Sequence, residues 1–298
     1  MTQPLVTIVT PSLNQAAYLE ETIQSVLDQD YPRVEYAVAD GGSTDGSVEL
    51  LRRYEDRLAW WTSASDRGQA AALNTAFSRA RGSILGWLSS DDVLLPGAVS
   101  RVVDALERDH ETLLVYGRAL FVDEHGRELF PLEPRPFDVE AMVRSCQNHV
   151  VQPGSLFRRQ AFEIAGPFAE AGYYFFDFEF VLKLAQRAPG TVRPIDATLA
   201  TYRVHPESKS AGAPLAKARD YVRLADEVLA GSGLPGADAG RRSAYLAAGE
   251  YFYDALELGP ARRYLLRGLR PSPRALGLLA KSFLPRTVVA RAKALARG

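Results

Sequence analysis

The chain has 298 residues, 47% hydrophobic and 24% charged, with a formal net charge of −1, a balance that fits a folded protein with a substantial core and excludes disorder and fibrous repeats. No apolar run approaches the roughly 20 residues of a membrane span, and "MTQPLVTIVT" lacks the basic start and long apolar stretch of a signal peptide. A single cysteine, Cys146, excludes an internal disulfide framework and a multi-cysteine metal site, so a reducing cytoplasm is the expected compartment.

"LVTIVT" (5–10) reads as a buried strand. After "PSLN", residues Leu19, Ile23, Val26 and Leu27 recur at helical spacing until Tyr31-Pro32. "VEYAVAD" (34–40) is a second strand, and "GGSTDGS" leads into a helix carrying Val48, Leu51 and Tyr54. "LAWWTS" (58–63) and "SILGWL" (83–88) read as two more strands, with a helix over 69–80 between them. Pro96 suits a first helical turn ahead of Val99, Val102, Val103 and Leu106. Repeated β-α units with near-continuous apolar strands predict an α/β fold with a mostly parallel sheet covered on both faces. Ligands of such sheets sit beyond the carboxyl ends of the strands. Asn14, Asp40, Asp66 and the Asp91-Asp92 pair all follow predicted strands, so they are expected to share one rim.

Residues 112–205 are less regular. "TLLVYGRALFVDEHGRELF" predicts a hairpin turning at Glu124–Arg127, "QPGSLFRR" another strand, and a helix begins near Phe176. From about 215 the pattern is helical, with breaks at 231–236, 259–260, 271–273 and 285, and 241–275 suits one helical hairpin. The expected organisation is a domain over 1–210, with halves meeting near 110, and an α-helical C-terminal extension over 211–298. Residues 258–298 contain ten Lys/Arg and no Asp/Glu, leaving 25 basic against 36 acidic groups in the rest. The acidic main body argues against nucleic-acid binding. The tail mixes Leu, Val and Phe with its basic residues. It fits either a helical subdomain with a solvated basic face or a peripheral contact with anionic lipid.

Four groups could carry chemistry. In "DGGSTDGS", Asp40 ends a strand, the glycines permit a sharp turn, and Ser43, Thr44 and Asp45 can cap a helix. A nucleophile elbow would need G-x-S-x-G, and a dinucleotide or phosphate loop G-x-G-x-x-G or G-K-[ST]; none occurs. In "GWLSSDDVLLPG", one aspartate could cap the helix ahead, but a second adds only repulsion, and an all-oxygen pair suits Mg²⁺ or Mn²⁺ with substrate phosphate oxygens. In "YYFFDFEFVLKL", Asp177 and Glu179 interrupt an aromatic stretch; they either complement a helix dipole or include a carboxylate with the raised pKa of a general base. His205 in "TYRVHPES" and Arg67 in "SDRGQ" read alone as solvated loop residues.

Taken together, "TIVTPSLNQAAYLEETIQSVLDQDYP", "VADGGSTDGS", "SDRGQAAALN", "WLSSDDVLLPG" and "FDFEFVLKL" stand in an order that resembles the family-2 inverting glycosyltransferases, over about residues 4–210. The resemblance implies a GT-A fold, a nucleoside-diphosphate sugar donor, a divalent cation (Mn²⁺ or Mg²⁺) and a carbohydrate or lipid-linked acceptor, in bacterial polysaccharide, glycolipid or glycoconjugate synthesis. It implies that Asp40 contacts the base, with Pro11, Ser12 and Asn14 as the floor beneath it. Arg67 becomes a phosphate or base contact, Asp91 lies toward ribose and metal, Asp92 is the main metal ligand, and Asp177 is the acceptor-activating base. His205 resembles a histidine that touches metal or diphosphate in some relatives. The chain departs from the pattern at Ser89 and Ser90, where many relatives carry an acid, and at Phe176-Asp177, where an acidic doublet is often found. A nucleotide-sugar-binding protein without transfer is the alternative. A two-carboxylate glycoside hydrolase leaves "DGGSTDG" unexplained.

Overall fold

The computed structural model describes residues 3–172, 174–209, 212–269 and 273–295, with 294 and 295 in backbone only. The chain forms two compact units: residues 1–137, 148–171 and 176–211, and residues 138–147, 172–175 and 212–298.

The first unit is built on one sheet. Strands β1 (Val6–Ser12), β2 (Val34–Asp40), β3 (Trp60–Ser63) and β4 (Ile84–Trp87) alternate with helices α1 (Ala16–Leu27), α2 (Ser47–Arg53) and α3 (Gln69–Arg79). Pairing is parallel throughout this set, β3-β2-β1-β4. All seven residues of β1 are buried, which is why its sequence shows no polar alternation: helices cover both faces. The two-residue β5 (Val93–Leu94) follows the aspartate pair, and α4 (Ala98–Arg108) buries Val99, Val102, Val103 and Leu106. Pro96 lies in the turn ahead of α4 rather than in its first turn, because Gly97 adopts the left-handed conformation at the N-cap.

The expected hairpin forms between β6 (Leu114–Val122) and β7 (Glu128–Leu132). After α5 (Val139–Ser145) of the second unit come β8 (Leu156–Arg158), α6 (Arg159–Ala165), α7 (Phe176–Arg187) and the twelve-residue β9 (Val192–Arg203). The sheet order is β3-β2-β1-β4-β8-β6-β9-β5, with β7 paired to β6. Beyond β4 the sheet is mixed: β8 runs antiparallel to β4 and β6, β9 parallel to β6, and β5 antiparallel to β9. The strand β9 has no clear period in the sequence, and its burial follows no simple alternation, because two register shifts interrupt its pairing with β6.

Between β1 and β4 the strand order changes direction, and the sheet opens there. Pairing of β1 with β4 ends at Val9–Trp87, whereas pairing with β2 runs on to Ser12–Asp40. Val9 accepts from the Leu88 N–H on the β4 side. Pro11 has the same parity, so its missing N–H falls on the open side, where a strand tolerates proline.

At the opposite sheet edge, buried Glu35 accepts from Thr7 Oγ1 (2.5 Å) and from the Arg81 backbone N–H (2.7 Å) and side-chain Nε (2.5 Å). Burial works to raise its pKa, but these donors win and hold the carboxyl below its ordinary value. A group depressed in the folded state stabilises above its unfolded pKa and loses that contribution as pH falls through the folded value. Glu35→Gln is therefore expected to cost about 1–3 kcal/mol at pH 7 and to flatten the acid limb of stability against pH. Urea unfolding between pH 3 and 7 checks this; parallel curves for the two proteins would remove Glu35 as a determinant.

The second unit is helical. It comprises α5 with α8 (Pro214–Arg223), α9 (Ala237–Asp254), α10 (Leu258–Arg267), α11 (Pro273–Lys281) and α12 (Arg286–Leu295), and a π-helical turn, Leu224–Val228, follows α8. Ala218, Ala248, Phe252, Tyr253, Ala261 and Val289 form its core. The expected hairpin over 241–275 corresponds to α9 and α10. The break expected at 259–260 is instead the first turn of α10, where a proline's missing N–H has no intrahelical partner to lose. Of the break expected at 271–273, residues 271 and 272 lie outside the described residues, and Pro273 opens α11.

Candidate active site

The loops after β1, β2, β3 and β4 leave the sheet at one edge, so Ser12, Asn14, Asp40, Asp66, Asp91 and Asp92 follow the carboxyl ends of its parallel strands. The β1 and β2 loops are laced together. Asn14, at φ 52°, donates its N–H to Ser43 Oγ (2.7 Å), and its Oδ1 accepts from the Thr44 N–H (2.9 Å). Asp45 accepts from the Ala16 N–H (2.8 Å), which fixes the start of α1. Asp40 is 3% exposed. Its oxygens accept from the Gly42 and Ser43 N–H groups and from the hydroxyls of Ser43 and Ser63. Gly42 sits at φ 89°, a conformation that side-chain-bearing residues rarely adopt. The sharp turn expected of "DGGST" thus forms, but the N-cap position of the helix after it is held by Gly46, in the left-handed conformation, rather than by Ser43, Thr44 or Asp45.

Two buried oxygens at this rim, Ser12 Oγ and Gln15 Oε1, have no hydrogen-bond partner among the described residues. Buried polar atoms are normally satisfied, and orphans at a strand's carboxyl end mark where a polar ligand would complete the structure. Arg67 is on the surface: its side chain is 81% exposed and pairs with Glu170 at 2.9 Å.

The aspartate pair splits by exposure. Asp92, expected as the main metal ligand, turns inward, 2% exposed; its Oδ1 accepts from the Arg203 N–H (3.0 Å), and its carbonyl accepts from Thr22 Oγ1 (2.7 Å). Burial, and then the charge of Asp91, push the Asp92 carboxyl well above the ordinary range, with Arg203 opposing. Asp91 faces out, with Oδ2 3.1 Å from Nε2 of His205. His205 is buried, not solvated: Tyr18 packs on its ring at 4.6 Å, and its N–H donates to Ser208 Oγ at 3.0 Å. Adjacent ligands of an octahedral ion at about 2.1 Å stand about 3 Å apart, so this pair fits two neighbouring positions of a small divalent cation. An imidazole nitrogen beside a carboxylate suits Mn²⁺ better than Mg²⁺. No cluster of three or more His, Cys, Asp or Glu suited to a metal occurs among the described residues.

Sequence reasoning missed Arg203, the residue that ties this corner together. Its side chain is 3% exposed. It donates to the Asp91 carbonyl (3.0 Å), to the carbonyls of Asp123 and Glu124 in the β6–β7 turn (3.4 and 3.3 Å) and to Glu21 (2.5 Å), and it lies 5.1 Å over the Tyr18 ring. The available signal was a basic residue two positions before His205.

Asp177 opens α7. Trp87, Phe168, Phe176 and Phe180 form an aromatic cluster with centroid separations of 5.0–6.1 Å, and it fixes that helix end beside the end of β4. Asp177 accepts from Asn148 Nδ2 (3.0 Å) and from the Phe178 N–H (2.7 Å). Burial raises its pKa above the ordinary carboxylate value; the Asn148 and Phe178 donors and the charge of Lys209 pull the other way without cancelling it. Lys209 connects these parts, donating to Gln69 at the start of α3 (3.0 Å) and lying 5.2 Å over the Phe176 ring. Neither Asn148 nor Lys209 stands out in the sequence.

Comparison with known proteins places the chain in a family. Residues 7–164, more than half of the chain, match the profile of "Glycosyl transferase family 2". A 93-residue stretch is 41% identical to Bacillus subtilis TuaG, a glycosyltransferase assigned to teichuronic acid biosynthesis; it covers 30% of this chain and 37% of TuaG, so the chain spans little more than a third of that relative. Among solved structures, S. aureus TarS (residues 1–349) in complex with UDP-GlcNAc superposes with a TM-score of 0.64 at 16% identity, over 97% of this chain and 87% of that one. The mannosyltransferase PcManGT from Pyrobaculum calidifontis, in complex with GDP-Man and Mn²⁺, gives 0.59 at 22% identity, over 97% and 83%. At these identities the structural likeness shows the fold.

Proposed function

The chain belongs to glycosyl transferase family 2, and from that premise we propose that it moves a sugar from a nucleoside-diphosphate sugar to an acceptor hydroxyl, with inversion at the anomeric carbon. The observation that carries this reading is the pairing of Asp91 with His205 at 3.1 Å, across 114 positions of sequence, on the rim that also holds the orphaned oxygens of Ser12 and Gln15. Nucleotide-sugar complexes of TarS and PcManGT support it by fold.

In this reading the base lies on the floor formed by Pro11, Ser12 and Asn14, against the turn that Asp40 organises. Asp91 and His205 are the metal ligands, while Asp92 serves as an internal anchor that holds Asp91 outward. A divalent cation bound there supplies a Lewis acid for the diphosphate. Asp177 accepts the proton of the acceptor hydroxyl as its oxygen attacks the anomeric carbon and the bond to the phosphate oxygen breaks. Arg67 reaches the donor phosphate only by exchanging its pairing with Glu170.

A thermal-shift panel of UDP, dTDP, GDP and CDP, each with and without Mn²⁺, tests the site. A nucleotide at 100 times its dissociation constant is expected to stabilise the fold by about 2.7 kcal/mol, only with Mn²⁺, and His205→Ala should remove the metal dependence. No response to any nucleotide in either condition would overturn the reading. Stabilisation without product formation would make the chain a nucleotide-sugar-binding protein instead.

A further inference from the structure

The turn between α11 and α12, "KSFLPR", presents apolar side chains to solvent. Phe283 is 63% exposed, Leu284 46%, and Val288, in the first turn of α12, 49%. An aromatic and two aliphatic side chains this exposed within six residues are a cost to a free monomer and mark a contact surface. The charged residues near them in the chain are of one sign. Lys281 and Arg286 flank the pair and Arg291 follows; all three are exposed. The guanidinium of Arg262 lies 5.0 Å over the Phe283 ring, bringing a fourth cation to the tip. None of these four pairs with a carboxylate among the described residues. Arg274 and Lys293 of the same unit, by contrast, pair with Glu250 and Asp254. The whole stretch 258–298 carries no acidic residue.

We propose that this turn is a membrane-docking tip: Phe283 and Leu284 enter the interfacial region of an anionic bilayer, while Lys281, Arg286, Arg291 and Arg262 remain at the headgroups. A protein partner of ordinary composition would meet an apolar patch with a polar rim of both signs. A rim of cations alone around a small apolar protrusion complements an apolar interior beneath an anionic surface. No helix among the described residues is long and apolar enough to cross a membrane, and a two-residue apolar tip gives reversible attachment rather than insertion. This surface lies on the helical unit and does not depend on the transferase reading.

Co-sedimentation of the full chain with phosphatidylcholine vesicles, with and without 30% phosphatidylglycerol, tests the proposal. Binding is expected only to the anionic vesicles, and weakening as salt is raised from about 0.1 to 0.5 M. Phe283→Ser/Leu284→Ser should lower the bound fraction at least about tenfold. Lys281→Gln/Arg286→Gln should lower it about fivefold per charge removed. All four positions are exposed, so unchanged melting of the variants separates docking from folding. Equal binding to neutral vesicles, binding to neither, or variants that bind like the parent would overturn the proposal. So would a dimer in light scattering that dissociates in the Phe283/Leu284 variant, because the tip would then be covered by a second copy.

Discussion

Asp177→Asn is expected to abolish sugar transfer, by about 10²–10⁴-fold in turnover, while leaving the Mn²⁺-dependent stabilisation by nucleotide intact. The amide keeps the shape of the side chain and can still accept from Asn148, but it cannot take a proton. The pH dependence of the parent supplies an independent check. Burial raises the Asp177 carboxyl above its ordinary value of 3.8, and the base works only when ionised. The logarithm of kcat/KM is therefore expected to climb with unit slope on the acid side and to level off at a midpoint above that ordinary value. A variant with near-parental turnover, or a parent whose acid limb bends below the ordinary carboxylate range, would remove Asp177 from the base position.

Arg203→Met should be the most destabilising single change in the first unit outside its apolar core. The guanidinium satisfies three carbonyls from two loops, pairs with Glu21 and stacks on Tyr18. Its loss removes a donor from those partly buried carbonyls, of which Asp123 keeps the Gly126 N–H, and leaves the Asp91-Asp92 turn without its tie to the β6–β7 turn. About 2–4 kcal/mol of stability is expected to go, together with the metal-dependent nucleotide response, since His205 and Asp91 would no longer be held in register. Arg203→Lys should recover little, because one ammonium cannot reach donors' targets spread around a planar fork. Urea unfolding combined with the nucleotide panel measures both effects. A loss under about 1 kcal/mol with a full nucleotide response would reduce Arg203 to a bystander.

How far the sequence reached varied with how local the determining physics was. The predicted strand over 34–40 matches β2 residue for residue, and the predicted helix over 69–80 differs from α3 by one residue. Both rest on apolar periodicity bounded by turn residues, which is local information. The rim of Asn14, Asp40, Asp66, Asp91 and Asp92 followed from the β-α alternation, since parallel strands must end on the same edge. By contrast, β9 escaped notice. Its two register shifts scramble the inside-outside alternation, so no short window reveals it as a strand.

The sequence alone determined the α/β class, the order of the parallel units, the resemblance to a family and the rim that carries the acidic residues. All of these depend on neighbours within a few dozen positions. Only the tertiary structure decided which aspartate of the pair faces outward, because that depends on β9 passing beside β5 and offering the Arg203 N–H to Asp92. It also converted His205 from a loop histidine into a buried partner of Asp91, 114 residues away. Partners that far apart in sequence meet only when the sheet closes, and the preferences of short windows contain no record of that meeting.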